Sequence, residues 1–211
     1  MQNEKSRSVN RRPAFYVGIR SPKAPPGEGL FVILKKEKIM ERILIIGCSG
    51  AGKSTLARKL GQLTGLPVVH LDSLFWKPGW VESSREELDA RILAAMEDAQ
   101  WILDGNYCRT LPMRLQRCDH VVFFDFPRWL CLWGVLKRVV SSYGRVRLDM
   151  PAGCPERFDW GFLVWIWNFP KSVRPRILLA LENAPDIPVT VLKNRRDGAK
   201  FLEQVASGSF L

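Results

Sequence analysis

From Met40 onward the chain alternates between two hydrophobic periods. The apolar run "RILIIG" reads as a strand, a glycine-rich loop follows, and a helical stretch starts at Lys53. "LPVVHLD" is a second apolar run, ending in an acid. In "SSREELDARILAAMEDA", Leu88, Ile92, Leu93 and Met96 fall at helical spacing, and Ser83 and Ser84 each precede a Glu by three residues, which predicts a helix with a capping-box start. "WILDGN" predicts another strand, "TLPMRLQRC" a short helix, and the continuous apolar run of "DHVVFFDFP" a strand covered on both faces. The chain is then helical from Trp129 to about Ser142 and passes through a Gly- and Arg-bearing segment to about Arg157. Two further helices, a last strand in "IPVTVLKN" and a closing helix complete the order. Strands alternating with helices imply a doubly wound α/β domain with a parallel sheet, whose ligands bind at the carboxyl ends of the strands.

Composition supports one globular unit: 211 residues, 46% hydrophobic and 25% charged. The net charge of +11 is unevenly placed, because residues 1–39 hold nine Lys/Arg against three Asp/Glu. With Pro13, Pro22, Pro25 and Pro26 and no sustained periodicity, that leader is expected to be a mostly disordered, basic extension of a domain spanning 40–211. A transit peptide or a nucleic-acid-binding arm are its functional alternatives. Five cysteines without paired metal-ligand spacing suggest reduced thiols in a cytoplasm. The apolar stretches "WLCLWGVL" and "WGFLVWIWNF" fall well short of the roughly 20 residues that span a bilayer, so no membrane segment is expected.

Gly47, Gly52, Lys53 and Ser54 fit the phosphate-loop pattern G-x-x-x-x-G-K-[ST], after a strand and before a helix. In such a loop the backbone of Ser49, Gly50, Ala51, Gly52 and Thr55 would present N–H groups to phosphate oxygens. Lys53 would neutralise the β/γ charge, and the Ser54 hydroxyl would ligate Mg²⁺. ATP and Mg²⁺ are therefore the expected cofactors. Asp72, Asp104 and Asp125 each end an apolar run, which would bring them to the phosphate-loop edge. Asp72 is expected to accept a proton or hydrogen bond from an acceptor hydroxyl, Asp104 to hold metal-bound water beside Ser54, and Asp125 to orient Mg²⁺ through water. Helix capping is the alternative for each. Phe126 follows Asp125 where many hydrolases carry a water-polarising Glu, which weighs against a simple ATPase. Trp76 and Trp80 would wall an acceptor pocket or pack in the core. Arg138, Arg145, Arg147 and Arg157, set around Gly144 and Gly153, read as a lid over about 138–157, with a solvated basic face as the alternative. Arg128 is a further candidate for anion contact. His70 and His120 are expected to be packed or surface residues.

"GCSGAGKSTLARKLG", "PVVHLDSLFWKPGW", "WILDGNY", "CDHVVFFDFPR" and "RVRLDMPAGCPERFDWGF" together resemble the FlaR-like family of DNA topology modulation proteins, within the adenylate-kinase-like P-loop fold. The resemblance runs from Met40 to about Leu202. It is most specific in the Asp-x-Leu-x-Trp-Lys-Pro-x-Trp and Gly-Cys-x-Glu-Arg-Phe stretches. It implies a five-stranded parallel sheet flanked by helices, with a helical arginine-bearing lid and an acceptor site near Asp72 and Asp104. By position, Lys53 and Ser54 match the phosphate and metal residues, Asp104-Gly105 resembles the Asp-Gly of nucleotide kinases, and Arg138 and Arg147 resemble lid arginines. Nucleotide kinases continue the Asp-Gly with an aromatic, Pro and Arg, whereas Asn106, Tyr107 and Cys108 follow here, which leaves the acceptor open.

The leading expectation is an ATP-dependent, Mg²⁺-requiring kinase acting on a small nucleotide- or nucleoside-like molecule. The alternative is a nucleotide-regulated DNA-binding protein that uses the leader and lid as a phosphate-contacting surface, although no helix-turn-helix signature accompanies it. ATP hydrolysis without an acceptor is a third reading. The sequence does not specify an oligomeric state.

Overall fold

A computed structural model of the protein describes residues 40–208; the basic leader and the expectation of its disorder lie outside them. Five strands form one parallel sheet: β1 (Arg42–Gly47), β2 (Val68–His70), β5 (Trp101–Asp104), β6 (His120–Phe124) and β7 (Val189–Leu192), in the order β2-β5-β1-β6-β7. A separate antiparallel pair, β3 (Trp76–Lys77) and β4 (Val81–Glu82), makes a small hairpin. The helices are α1 (Lys53–Thr64), α2 (Leu71–Phe75), α3 (Arg85–Ala95), α4 (Leu111–Leu115), α5 (Arg128–Ser142), α6 (Trp160–Ser172), α7 (Arg174–Glu182) and α8 (Arg195–Ala206). This is the α/β P-loop fold that the alternating pattern predicts.

The apolar runs explain the layering. β1 is central, and Ile43, Leu44, Ile45 and Ile46 are all fully buried, as a strand covered on both faces requires. β6 is likewise buried along its length. Ser84, not Ser83, caps α3: its hydroxyl accepts from the Glu87 N–H while the Glu87 carboxylate accepts from the Ser84 N–H. The sheet order places β1 between β5 and β6, so the loop leaving β1 opens at the point where the winding reverses.

Two departures from the sequence pattern matter for the site. The second apolar run yields only three strand residues, and Leu71–Phe75 turns into α2, so Asp72 sits in a first helical turn and not at a strand end. The lid region is helical only where Arg138 lies on α5. Beyond it, residues 143–159 are turns held by bridges between Tyr143 and Glu156 and between Val146 and Pro155.

α5 packs directly beneath the phosphate loop, and glycine makes that approach possible. A Cβ on Gly134 would lie 2.1 Å from the Gly50 carbonyl oxygen, and one on Gly50 would lie 2.1 Å from that of Cys131. Gly134→Ala is therefore expected to push α5 off the loop and lower stability by about 1–3 kcal/mol. A urea-unfolding midpoint equal to that of the wild type would contradict this packing.

Candidate active site

The phosphate loop is shaped by three glycines with positive φ. Gly47 (φ 136°) passes so close to β6 that a Cβ would sit 2.4 Å from the Phe124 carbonyl oxygen. Gly52 (φ 101°) caps α1 with open space where its Cβ would be, and no side chain caps the helix. The first N–H groups of α1 thus face a cleft of about 1540 Å³. Ser49, Gly50, Ala51, Gly52, Lys53, Ser54 and Thr55 all line it, whereas Gly47 lies behind the lining. The Lys53 ammonium folds over the loop and donates to the Cys48 carbonyl at 3.1 Å.

Behind the loop stands a residue that its sequence context did not single out for a role. The Asn106 side-chain amide accepts from the Gly47 N–H at 2.7 Å and donates to the Gly47 carbonyl at 2.6 Å. The turn that presents Asn106 is held by the fully buried Arg114, whose guanidinium donates to the carbonyls of Gly105, Asn106 and Tyr107. Burial depresses the Arg114 pKa to about 10, so it stays charged at neutral pH. The only sequence signal was the departure at Asn106-Tyr107-Cys108 from the nucleotide-kinase pattern.

Asp72 and Asp104 come together on the cleft wall with His70. His70 Nδ1 and Asp104 Oδ2 are 2.9 Å apart, so the half-buried His70 packs against Asp104 where it lines the cleft. Asp104 is buried, and its other oxygen, Oδ1, has no hydrogen-bond partner among the described residues. An orphaned buried carboxylate oxygen in the cleft that also holds Ser54 fits a bound cation. Asp72 is solvent-exposed on the cleft wall, but the protein around the cleft partly desolvates it. That desolvation raises its pKa and the Asp104 charge adds to the rise, while the Tyr107 hydroxyl, donating at 2.9 Å, opposes it. Lys53 and Arg147 also oppose the rise, so both cations act on Asp72.

Asp125 does not join this group. Its carboxylate pairs in a bidentate manner with Arg174, at 2.7 Å to Nε and 2.9 Å to Nη2, and it does not line the cleft. The Arg174 guanidinium lowers its pKa. In place of the expected metal role, Asp125 ties β6 to α7.

The lid arginines are tethered. Buried Glu156 meets Arg147 Nε at 2.8 Å and Arg138 Nε at 3.1 Å, and Arg147 Nη1 donates to Asp149 at 2.9 Å. Burial alone would raise the Asp149 pKa, but Arg147 and the nearby Ser54 hydroxyl hold it low. One chain of polar contacts thus runs from Arg138 on α5 through Glu156 and Arg147 to Asp149. Glu156 and Asp149 were missed because their partners lie far off in sequence or two residues away in an irregular turn. Arg145 and Arg157 also line the cleft, whereas Arg128 lies over the Trp167 ring, 4.4 Å from its centroid, and takes no part in the lining. His120 lies within hydrogen-bond distance of Thr190, 2.9 Å away, as a packed residue.

The two most distinctive sequence stretches meet in space. The Trp80 indole N–H donates to the Pro155 carbonyl at 3.2 Å, the Gly79 N–H to Gly153 at 2.9 Å, and the Cys154 thiol to Lys77 at 3.2 Å. Arg157 stacks over Trp80 at 5.0 Å. Trp76 and Trp80, edge to face at 5.3 Å, form an aromatic wall of the same cleft with Phe75 and Tyr107. Among the described residues all five cysteines are free thiols, and no helix is long and apolar enough to cross a membrane.

A family profile described as an AAA domain matches residues 43–153, just over half of the chain. An adenylate kinase of Clavibacter michiganensis subsp. michiganensis (strain NCPPB 382) is 28% identical over 109 residues, covering 50% of this chain and 53% of that protein. The match thus spans about half the length of this curated relative. A shikimate kinase from Acinetobacter baumannii in complex with shikimate superposes with a TM-score of 0.53 at 14% identity, over 82% of this chain and 97% of that one. That likeness establishes a shared fold.

Asn106→Ala removes both bonds to the Gly47 peptide and leaves its N–H and carbonyl unpartnered. It is expected to cost about 1–3 kcal/mol of stability and to weaken nucleotide binding. Calorimetric titration with MgADP, showing unaltered affinity, would contradict a loop-holding role.

Proposed function

Because the chain belongs to the AAA-domain family and carries a kinase-like P-loop fold, we propose that it is a Mg²⁺-dependent kinase transferring the γ-phosphate of ATP to a small, ring-bearing acceptor. The observation that carries the reading is the shared cleft: an open phosphate loop, the Asp72–Asp104 pair and an aromatic wall all line one cavity. Membership of the narrower FlaR-like family is part of the same reading, supported by the contact between the two distinctive stretches.

Asp104 Oδ1 and the Ser54 hydroxyl would hold the metal, which when bound supplies positive charge between the phosphates. The open N–H groups of the loop and Lys53 bind the phosphate chain. An acceptor ring rests on Trp76, Trp80 and Tyr107, which sets its hydroxyl toward Asp72. That hydroxyl oxygen forms the new bond to the γ-phosphorus as the bond to the β-bridging oxygen breaks, and Asp72 accepts the proton. A raised pKa makes Asp72 a stronger base than an ordinary carboxylate. Arg138 and Arg147 offset charge on the transferring group. Arg138 pairs with Glu156, and Arg147 with Glu156 and Asp149.

The reading is tested by incubating the protein with MgATP and a panel of nucleosides, nucleotides, sugars and hydroxy acids, with phosphorylated products followed by mass spectrometry. One product is expected, reduced about a hundredfold or more by Lys53→Ala. ATP binding with no product, accompanied by salt-dependent DNA binding, would favour the DNA-binding alternative.

Asp72 also links the site to stability. Its folded pKa lies above the unfolded value near 3.8, so between the two values the folded state holds more proton than the unfolded chain, and stability falls as pH rises through that window. Asp72→Asn is expected to be more stable than wild type at pH 7 and to lose turnover. A variant no more stable at pH 7, with an unchanged pH profile of unfolding, would contradict the raised pKa.

A further inference from the structure

The outer face of the α5–α6 pair is not used by the site. On α5, Trp129, Trp133 and Val140 recur at helical spacing and are exposed, the two tryptophans by 64% and 62%. On α6, Trp160, Val164 and Trp167 form a matching exposed stripe, with Trp160 70% exposed. The stripes join where Trp129 and Trp167 pack edge to face at 4.7 Å. The opposite sides of both helices are occupied: Cys131 and Gly134 lie against the phosphate loop, and Phe162 and Trp165 line the cleft. An apolar surface led by four tryptophans is larger than the scattered apolar residues of an ordinary surface.

Charge identifies what covers it. Neither helix contains an Asp or Glu, while Arg128, Lys137, Arg138 and Lys171 are all on them. Arg138 and Lys137 turn to the cleft, where Arg138 pairs with Glu156, which leaves Arg128 and Lys171 beside the tryptophans. Asp159, the N-cap of α6, accepts from the Phe162 N–H. A second copy of the chain meeting this face would set the exposed cations against their own counterparts, with no acid on either helix to neutralise them. A surface of anionic headgroups supplies that missing charge. Indole rings with a basic rim are the side chains that settle at a lipid–water boundary.

We propose that the α5–α6 face docks on an anionic membrane surface, with Trp129, Trp133, Trp160 and Trp167 seated at the headgroup level and Arg128 and Lys171 at the rim. The protein lies on the bilayer and does not cross it. Because α5 also supports the phosphate loop, the docked face backs directly on the nucleotide site.

The test is flotation of the full chain with vesicles of phosphatidylglycerol and phosphatidylcholine, against phosphatidylcholine alone. Binding is expected only to the anionic vesicles and is expected to weaken with salt. Trp129→Ser/Trp133→Ser, whose fold is checked by thermal unfolding, should reduce partitioning about tenfold or more. Lys171→Glu, which leaves the tryptophans intact, should reduce it severalfold as well. Absence of binding to anionic vesicles would overturn the proposal. So would wild-type binding by the tryptophan variant, which would assign the attraction to the basic leader. A solution dimer that the tryptophan variant dissociates would assign the face to a second copy and overturn it equally.

Discussion

The two hydrogen bonds between the Asn106 amide and the Gly47 peptide join the end of β5 to the start of the phosphate loop. Everything in the site inherits its position from that junction. Gly47 is pressed against Phe124 on one side, and Gly50 is pressed against Cys131 and Gly134 on the other. A loop confined in this way has few conformations to lose when an anion binds, so its N–H groups are pre-organised. The cost is a strict demand for glycine at the points of approach, and for a buried arginine, Arg114, to hold the turn that carries Asn106.

The lid is coupled to the same loop through charge. Glu156 is buried between two arginines, so it offsets their mutual repulsion. Asp149 ends the chain of contacts close enough to Ser54 for that hydroxyl to help hold its pKa low. The Trp80–Pro155 and Gly79–Gly153 bonds tie the aromatic wall to the same irregular segment that carries Arg147 and Glu156.

Local chemistry was legible in the sequence where it is encoded within a few residues. The phosphate loop, the strand ending in Asp104 and the Ser84 capping box each carry their own signal over four to eight positions. What could not be read depends on partners distant in the chain. Asp125 looked like a strand-end metal residue because Arg174 lies 49 positions further on. The contact of His70 with Asp104 was not legible because the two are 34 positions apart. Asp72 was placed on a strand because the apolar run continues through Leu71, yet the pairing of β2 with β5 ends at His70 and the chain coils into α2. The aromatic wall was foreseeable in composition, but not its registration against Gly153–Arg157.

The central claim is that the γ-phosphate leaves ATP for an organic hydroxyl within this cleft. The most direct test uses MgATP labelled with heavy oxygen in the γ-phosphate, incubated with the protein and a small-molecule extract, and follows the label by mass spectrometry. Transfer predicts an organic phosphate that keeps the labelled γ-oxygens and is absent with Lys53→Ala. Free phosphate carrying one oxygen from water, with no labelled organic product, would contradict the account.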